Sequence, residues 1–206
     1  MQYKKLLFKS VSALFLISAV THLNANQLIS SNSTDSIISD IKFLGDSCNE
    51  SATVKYDPVS GNTLISFENL VTTIGPEKLQ DRAICVIKYV LLVPQQQRAI
   101  IPAITVTGAT ESTEASKHSV SLRYRQAGGV GEASIWQFSG LAKGNVALTK
   151  PMSNKINSCG QSLNLKVSIT VDTEFLNRLS VPTEYQSTVI RSLVLPKVEL
   201  QDCLAE

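Results

Sequence analysis

Between Ser162 and Val171 the chain alternates without a break. Leu163, Leu165, Val167, Ile169 and Val171 fall on one side, and Ser162, Asn164, Lys166, Ser168 and Thr170 on the other. Successive side chains of a strand point to opposite faces, so this segment has one buried face and one wet face. A helix cannot use the pattern, because period two scatters the apolar residues around its axis. Val120, Leu122 and Tyr124 alternate in the same way with Ser119, Ser121, Arg123 and Arg125. A strand with one apolar face needs a second layer to cover it.

Other segments give the same signal. Ser51–Asp57 and Thr63–Leu70 flank Asp57-Pro58-Val59-Ser60-Gly61-Asn62, whose proline and glycine suit a hairpin turn. Arg82–Val93 carries Ala83, Cys85, Ile87, Tyr89, Leu91 and Val93 on one face and Ile84, Val86, Val90 and Leu92 on the other. Apolar residues on both faces predict a central or sandwiched strand, ended by Pro94. Ala99–Gly108 is a further candidate, which Pro102 confines to an edge or a bulge. Glu111–Lys117 reads as a polar connection. Gly128-Gly129-Val130-Gly131 reads as a turn, with Ala133–Ser139 returning from it. Thr188–Leu195 is a last strand, closed by Pro196. The one short helix candidate beyond the N-terminus is Thr173–Leu179. Many short strands separated by turn residues predict an all-β fold, a single antiparallel β-sandwich.

The N-terminus bears on location. Lys4, Lys5 and Lys9 precede an apolar run peaking at Ala13–Val20, and polar residues follow to Asn26. That is the layout of a secretory signal, with Ala25 at the cut. The run is too short and too interrupted by Ser12 and Ser18 to span a bilayer. Residues 1–25 are therefore expected to be a signal peptide, 26–40 a flexible polar leader and 41–206 the all-β domain. No later segment approaches a membrane span. Secretion or periplasmic residence follows, without membrane insertion once the signal is removed.

Three of the 19 basic residues and none of the 17 acidic ones lie in residues 1–25, leaving 16 against 17. A near-neutral chain has no electrostatic attraction to offer nucleic acid or an anionic membrane. About 180 residues suit one domain with its own core.

Cys48, Cys85, Cys159 and Cys203 all lie beyond the signal. An even count in an exported chain predicts two disulfides. Four cysteines allow three pairings, and the sequence alone does not choose among them. The favoured pairing is Cys48–Cys85 with Cys159–Cys203, each closing a loop of about forty residues and adding about 3–4 kcal/mol on the chain-entropy model. No Cys-x-x-Cys occurs, so zinc-ribbon, thioredoxin-like and c-type haem signatures are missing.

Ordered landmarks from Ile41 to Val171 carry a family resemblance. They are Gly45-Asp46-Ser47-Cys48, then Leu64-Ile65-Ser66-Phe67 with Gly75, and Cys85 opening the strand that ends at Pro94. Gln137-Phe138-Ser139-Gly140 and Ser158-Cys159-Gly160 follow. Their order resembles an uncharacterised secreted family known as domain of unknown function 4360, over about two thirds of the chain. Asn49 stands where the family has proline, and the tail to Cys203 is long. The resemblance implies export, an all-β fold and disulfides, and nothing catalytic.

Chemistry-bearing motifs are sparse. Gly45-Asp46-Ser47 spells an esterase nucleophile signature, but Ser47 needs a base held by a carboxylate. His118 is the one histidine beyond the signal and has no Asp-x-x-His context, so it reads as an exposed loop residue. Ser39 and Lys42 copy a Ser/Lys spacing without the companion motifs. Asp40, Asp46 and Glu50 could offer oxygens to calcium but match no known loop. Trp136 is the single tryptophan. Exposed beside Arg123 and Arg125 it would stack on a sugar or peptide; buried, the preferred reading, it belongs to a sandwich core. The arginine pair reads as a solvated strand face. No catalytic, metal or cofactor site is assigned, and the partner is unknown. The expected function is a non-enzymatic envelope or extracellular protein, binding or structural. The alternative is a secreted hydrolase with a carboxylate active site. A concave site holding two carboxylates separates them.

Overall fold

The computed structural model describes residues 37–113, 115–152, 159–176 and 183–203. The expected signal segment and most of the expected leader lie outside them. In chain order the strands are β1 (Ile38–Leu44), β2 (Ala52–Asp57), β3 (Asn62–Phe67), β4 (Val71–Ile74), β5 (Gln80–Leu91), β6 (Gln97–Ile100) and β7 (Ile104–Ser112). Then come β8 (Ser116–Gln126), β9 (Ser134–Ser139), β10 (Ala142–Lys150), β11 (Leu163–Phe175), β12 (Gln186–Leu195) and β13 (Glu199–Asp202). No helix is present among the described residues.

Two antiparallel sheets face each other. One runs β1-β5-β11-β8-β9, and the other runs β10-β7-β12-β3-β2 with β4 paired to the far half of β12. A small ribbon of β13 and β6 stands apart from both. The chain is a disulfide-stapled antiparallel β-sandwich.

The core comes from the alternation. Leu163, Leu165, Val167, Ile169 and Val171 of β11 are all buried, as are Val120, Leu122 and Tyr124 of β8. Opposite them lie Ile104 and Val106 of β7, Ile190, Leu193 and Leu195 of β12, and Ile65 and Phe67 of β3. The jump from Ile190 to Leu193 breaks period two. A bulge at Arg191 supplies the extra residue, and the register against β7 shifts there.

β5 is interior to its sheet, between β1 and β11. It is not covered on both sides. Ala83, Cys85, Ile87, Tyr89 and Leu91 are buried, while Ile84 on the outer face is 42% exposed. Cys48–Cys85 and Cys159–Cys203 are the disulfides. The first lies in the core, with both cysteines fully buried. It ties the β1–β2 turn to the middle of β5.

Several boundaries differ from the sequence expectation. The leader does not reach residue 40, because β1 begins at Ile38 and pairs it with Leu91. Ala99–Gly108 is not one strand: Pro102 separates β6 from β7, since it has no N–H for a ladder. β7 is an interior strand, not an edge. Glu111, Ser112, Ser116 and Lys117 belong to strands, so the polar connection shrinks to residues 113–115. Thr173–Phe175 continue β11 and are not helical; residues 177–179 of that helix candidate lie outside the described residues.

Candidate functional site

A hollow of about 640 Å³ lies between the start of β1, the β2–β3 hairpin and the segment Lys197–Leu200. Its construction begins with the hairpin turn. The Asp57 carboxylate accepts hydrogen bonds from Ser60 Oγ at 2.6 Å and from the Val59 amide at 3.0 Å. These bonds hold its carboxyl below the usual carboxylate range, the Ser60 hydroxyl contributing most. Gly61 takes φ +70°, which a Cβ would resist. The space beside it is filled by Lys197, whose Cδ would lie 2.8 Å from that Cβ. Asn62 Oδ1 then accepts the Lys197 amide at 3.0 Å, docking the C-terminal segment on the hairpin.

The opposite wall is β13. A ribbon of two four-residue strands is marginal on its own. Here it is cross-braced. Arg98 donates twice to Gln201 Oε1, at 3.0 and 2.8 Å, and Gln97 Nε2 donates to Asp202 at 2.9 Å. The Cys203 amide donates to Gln96 O at 2.7 Å, and the Gly160 amide to Gln97 O at 2.8 Å. Cys159–Cys203 fastens the end of β13 to the segment before β11. The lining that results is mixed. Ile38, Tyr56 and Leu200 are half-buried and offer apolar surface, while Thr63, Lys197 and Glu199 offer polar groups.

A second feature lies inside the sandwich. At one end the inward rows of four strands turn polar together. Thr110 and Ser112 of β7, Ser116 and His118 of β8, Thr173 of β11, and Gln186 and Thr188 of β12 are all buried, and Thr72 of β4 joins them. His118 is therefore not an exposed loop residue. It is fully buried in β8 and pairs with Thr173 across the sheet. Its Nε2 lies 3.0 Å from Ser116 Oγ, and its Nδ1 lies 2.8 Å from Thr188 Oγ1 and 3.4 Å from Thr173 Oγ1. Ser116 donates its own proton to Thr113 O at 3.0 Å. Ser116 must then accept from His118, which assigns the Nε2–H tautomer and leaves Nδ1 to accept from Thr188. Burial lowers the His118 pKa, opposed in part by the Gln186 side chain. Gln186 Oε1 accepts the Thr113 amide at 3.1 Å, while its Nε2 is buried without a partner. No carboxylate and no Ser47 is among the partners of His118. The layer can hold a neutral imidazole, and it does not bring Ser47 to His118.

The other sequence candidates disperse. Ser47 lies in the turn that its own carbonyl closes by accepting Ser51 Oγ at 3.3 Å. Asp40 pairs with Lys42 at 3.0 Å, and Ser39 stands in the β1 ladder opposite Val90. Asp40, Asp46 and Glu50 do not converge: among the described residues no group of three or more His, Cys, Asp or Glu is placed to hold a metal ion. Trp136 is half-buried, lies opposite Val120 on the inner face, and stacks on Phe138 with ring centroids 6.3 Å apart. Arg123 and Arg125 alternate with the buried Leu122 and Tyr124, so they point away from Trp136. Arg123 is solvated; Arg125 is half-buried and donates to Gly129 O, pinning the glycine turn.

A smaller hollow of about 190 Å³ lies on the outer face of β11. Asp172 and Glu174 line it, two residues apart. Asp172 is bound by Arg82, and Glu174 by Lys117 at 3.2 Å. Each carboxylate already has a cation.

Neither Tyr56 nor the Lys197–Leu200 segment stood out in the sequence. The signal available was weak: an aromatic residue one position before the turn, and a short mixed stretch, Lys197–Leu200, just after the proline that ends a strand.

No family model and no curated protein matches the chain. Among solved structures, similarity is found to the enzymatically active domain of bacteriophage CBA120 tailspike protein 4, at 12% identity and a TM-score of 0.22. It covers 81% of this chain and 19% of that one. Similarity is also found to TmCBM61, solved in complex with β-1,4-galactotriose, at 14% identity and a TM-score of 0.26, covering 80% of this chain and 89% of that one.

Proposed function

We propose that this is an exported, non-enzymatic binding protein whose ligand occupies the cleft between the β2–β3 hairpin and β13. The observation that carries the reading is the lining. A half-buried Tyr56 ring and the aliphatic Ile38 and Leu200 stand beside Thr63, Lys197 and Glu199. Apolar walls with a few fixed polar groups are what a small-ligand site requires. One cation and one anion in the lining suit a neutral ligand. An aromatic face with hydrogen-bonding neighbours suits a sugar ring. The ligand class is a neutral oligosaccharide. Hydrolysis by paired carboxylates needs two of them flanking one bond, and this cleft is lined by Glu199 alone. Export is supported by the N-terminal charge and hydropathy pattern and by the two disulfides. No helix among the described residues is long and apolar enough to cross a membrane.

The test is calorimetric titration with a panel of neutral oligosaccharides, and with Tyr56→Ala and Lys197→Ala variants. Binding by the parent, weakened about tenfold or more by Tyr56→Ala, supports the site. Binding that both variants leave unchanged places the ligand elsewhere. Release of reducing sugar during the titration overturns the non-enzymatic reading.

A further inference from the structure

We infer that β9 is an interior strand in the working assembly, and that two copies of this chain pair through it about a two-fold axis. The evidence is a mismatch between the position of the strand and its composition. β9 ends its sheet, with β8 on one side and no strand on the other among the described residues. Exposed sheet edges offer unpaired N–H and C=O groups, and proteins protect them with charge, proline or bulges. The strands at the other three ends of the two strand orders are protected, and β4, off that path, has its Thr73 amide bound by Asp81. β1 has a register shift at Ser39–Lys42 and carries Asp40 and Lys42. β2 carries Lys55 and Asp57, and β10 carries Lys143 and Lys150.

β9 reads Ser134-Ile135-Trp136-Gln137-Phe138-Ser139, with no charge, proline or glycine. Both its faces carry apolar groups. Trp136 and Phe138 are half-buried on the inner face, and Ile135 on the outer face is 63% exposed. An edge of that composition is the kind that pairs with another strand.

A second copy of β9 fits this edge. The strand is neutral, so self-pairing brings no like charges together. A two-fold axis normal to the sheet keeps both inner faces on one side, provided that paired residues share parity. Centring the axis on Gln137 meets that condition. Trp136 then lies opposite the partner's Phe138, and Phe138 opposite the partner's Trp136. Ile135 lies opposite the partner's Ser139. The two five-stranded sheets become one of ten strands. This inference stands apart from the ligand cleft, which is built from β1, β2, β3 and β13.

The experiment is sedimentation equilibrium of the disulfide-bonded chain up to about 100 µM, since a self-associating protein must be read against protomer concentration. A mass of two chains is expected. Gln137→Lys and Gln137→Glu are each expected to sediment as one chain, because the substituted charge meets its own copy at the axis. An equimolar mixture of the two variants is expected to recover the two-chain mass. Circular dichroism confirms that each variant is folded; if Gln137→Lys is not, Gln137→Arg, which also meets its own copy at the axis, replaces it. A parent chain that stays at one mass throughout overturns the inference. So does a dimer that the charge variants leave intact, or a variant mixture that stays monomeric.

Discussion

His118 Nδ1 lies 2.8 Å from Thr188 Oγ1, joining the two sheets through a fully buried imidazole with no carboxylate to share a proton. The hydroxyls around it form a chain. Thr188 meets Thr110 at 3.0 Å, and Thr72 meets Thr173 at 2.6 Å. Beyond them the buried Ile74 and Phe175 close that end of the sandwich. A proton added at Nδ1 would place a donor where the Thr188 hydroxyl already donates.

Protonation is therefore destabilising, and the sign follows from burial. The folded pKa of His118 is lowered from its ordinary 6.5, because burial disfavours the cation. Between the folded and unfolded values the unfolded chain binds more protons, so stability rises with pH there. The contribution is complete above about 6.5 and is lost as pH falls through the folded value. Urea midpoints should drop between about pH 7 and pH 5, with a flatter profile in His118→Gln. Asp57 and Asp81, whose carboxyls are lowered, act only below the carboxylate range and do not contribute in this window. A His118→Gln profile parallel to the parent between those pH values would show that another group is responsible.

His118 shows what a sequence holds and what it does not. The buried row Ser116, His118, Val120, Leu122, Tyr124 keeps period two to its end. Its parity placed His118 inward, but the polar residues before Val120 hid the strand. The same holds for Thr173, which ends the row Leu163–Val171 but is itself polar, so the sequence suits a helix start there equally well. Hydrophobic alternation reports burial only where the inward residues are apolar. β10 was missed for the opposite reason: only Val146 of its nine residues is fully buried, and an exposed edge strand needs no pattern. The long central strands, the hairpin at Asp57–Asn62 and the glycine turn at Gly128 were legible, because each depends on neighbours in sequence. The cleft was not. Tyr56 and Glu199 meet there across the fold, and no local spacing records that.

Tyr89 and Tyr124 give a second test of buried polar pairing. Their hydroxyls meet at 2.7 Å inside the core, across the strand that separates β5 from β8. Tyr89→Phe or Tyr124→Phe leaves the other hydroxyl buried without its partner, at a cost of about 1–3 kcal/mol. The double variant removes both polar groups and should lose less than the two single losses combined. Strict additivity in urea unfolding would mean that the hydroxyls are not coupled. Burial also raises both phenols, Tyr124 to about 12 and Tyr89 well above the ordinary value. Two tyrosines should consequently resist ionisation in an absorbance titration until the chain unfolds.

Gly45 and Gly140 separate two effects of adding a methyl group. Both take φ +109°, a conformation that side chains resist. A Cβ at Gly45 would lie 2.4 Å from the Ile84 carbonyl oxygen, whereas Gly140 has open space. Both alanine variants carry a backbone strain of about 1–3 kcal/mol. Gly45→Ala adds a clash with the backbone beside Cys85, so it should be the more destabilised of the two in thermal unfolding. Equal losses would mean that the β1–β2 turn yields without cost.

The two disulfides should fail differently. Cys48 and Cys85 are fully buried against the core, whereas Cys159–Cys203 fastens the end of a four-residue ribbon. Replacing Cys48 and Cys85 by serine removes the cross-link and leaves two hydroxyls in an apolar setting. That should cost about 2–5 kcal/mol of global stability or abolish folding at 37 °C. Replacing Cys159 and Cys203 frees β13, whose strand partner is β6 alone. Of β13 only the half-buried Leu200 packs against the core, so the main transition should fall less. The local effect should be larger. Leu200 and Gln201, paired with Ala99 and Arg98, should exchange their amide hydrogens much faster while the amides of β11 keep their protection. Because Glu199 and Leu200 form one wall of the cleft, ligand affinity should fall with that protection. Unchanged exchange at Leu200 and Gln201 would show that the Arg98–Gln201 and Gln97–Asp202 hydrogen bonds hold the wall without the disulfide.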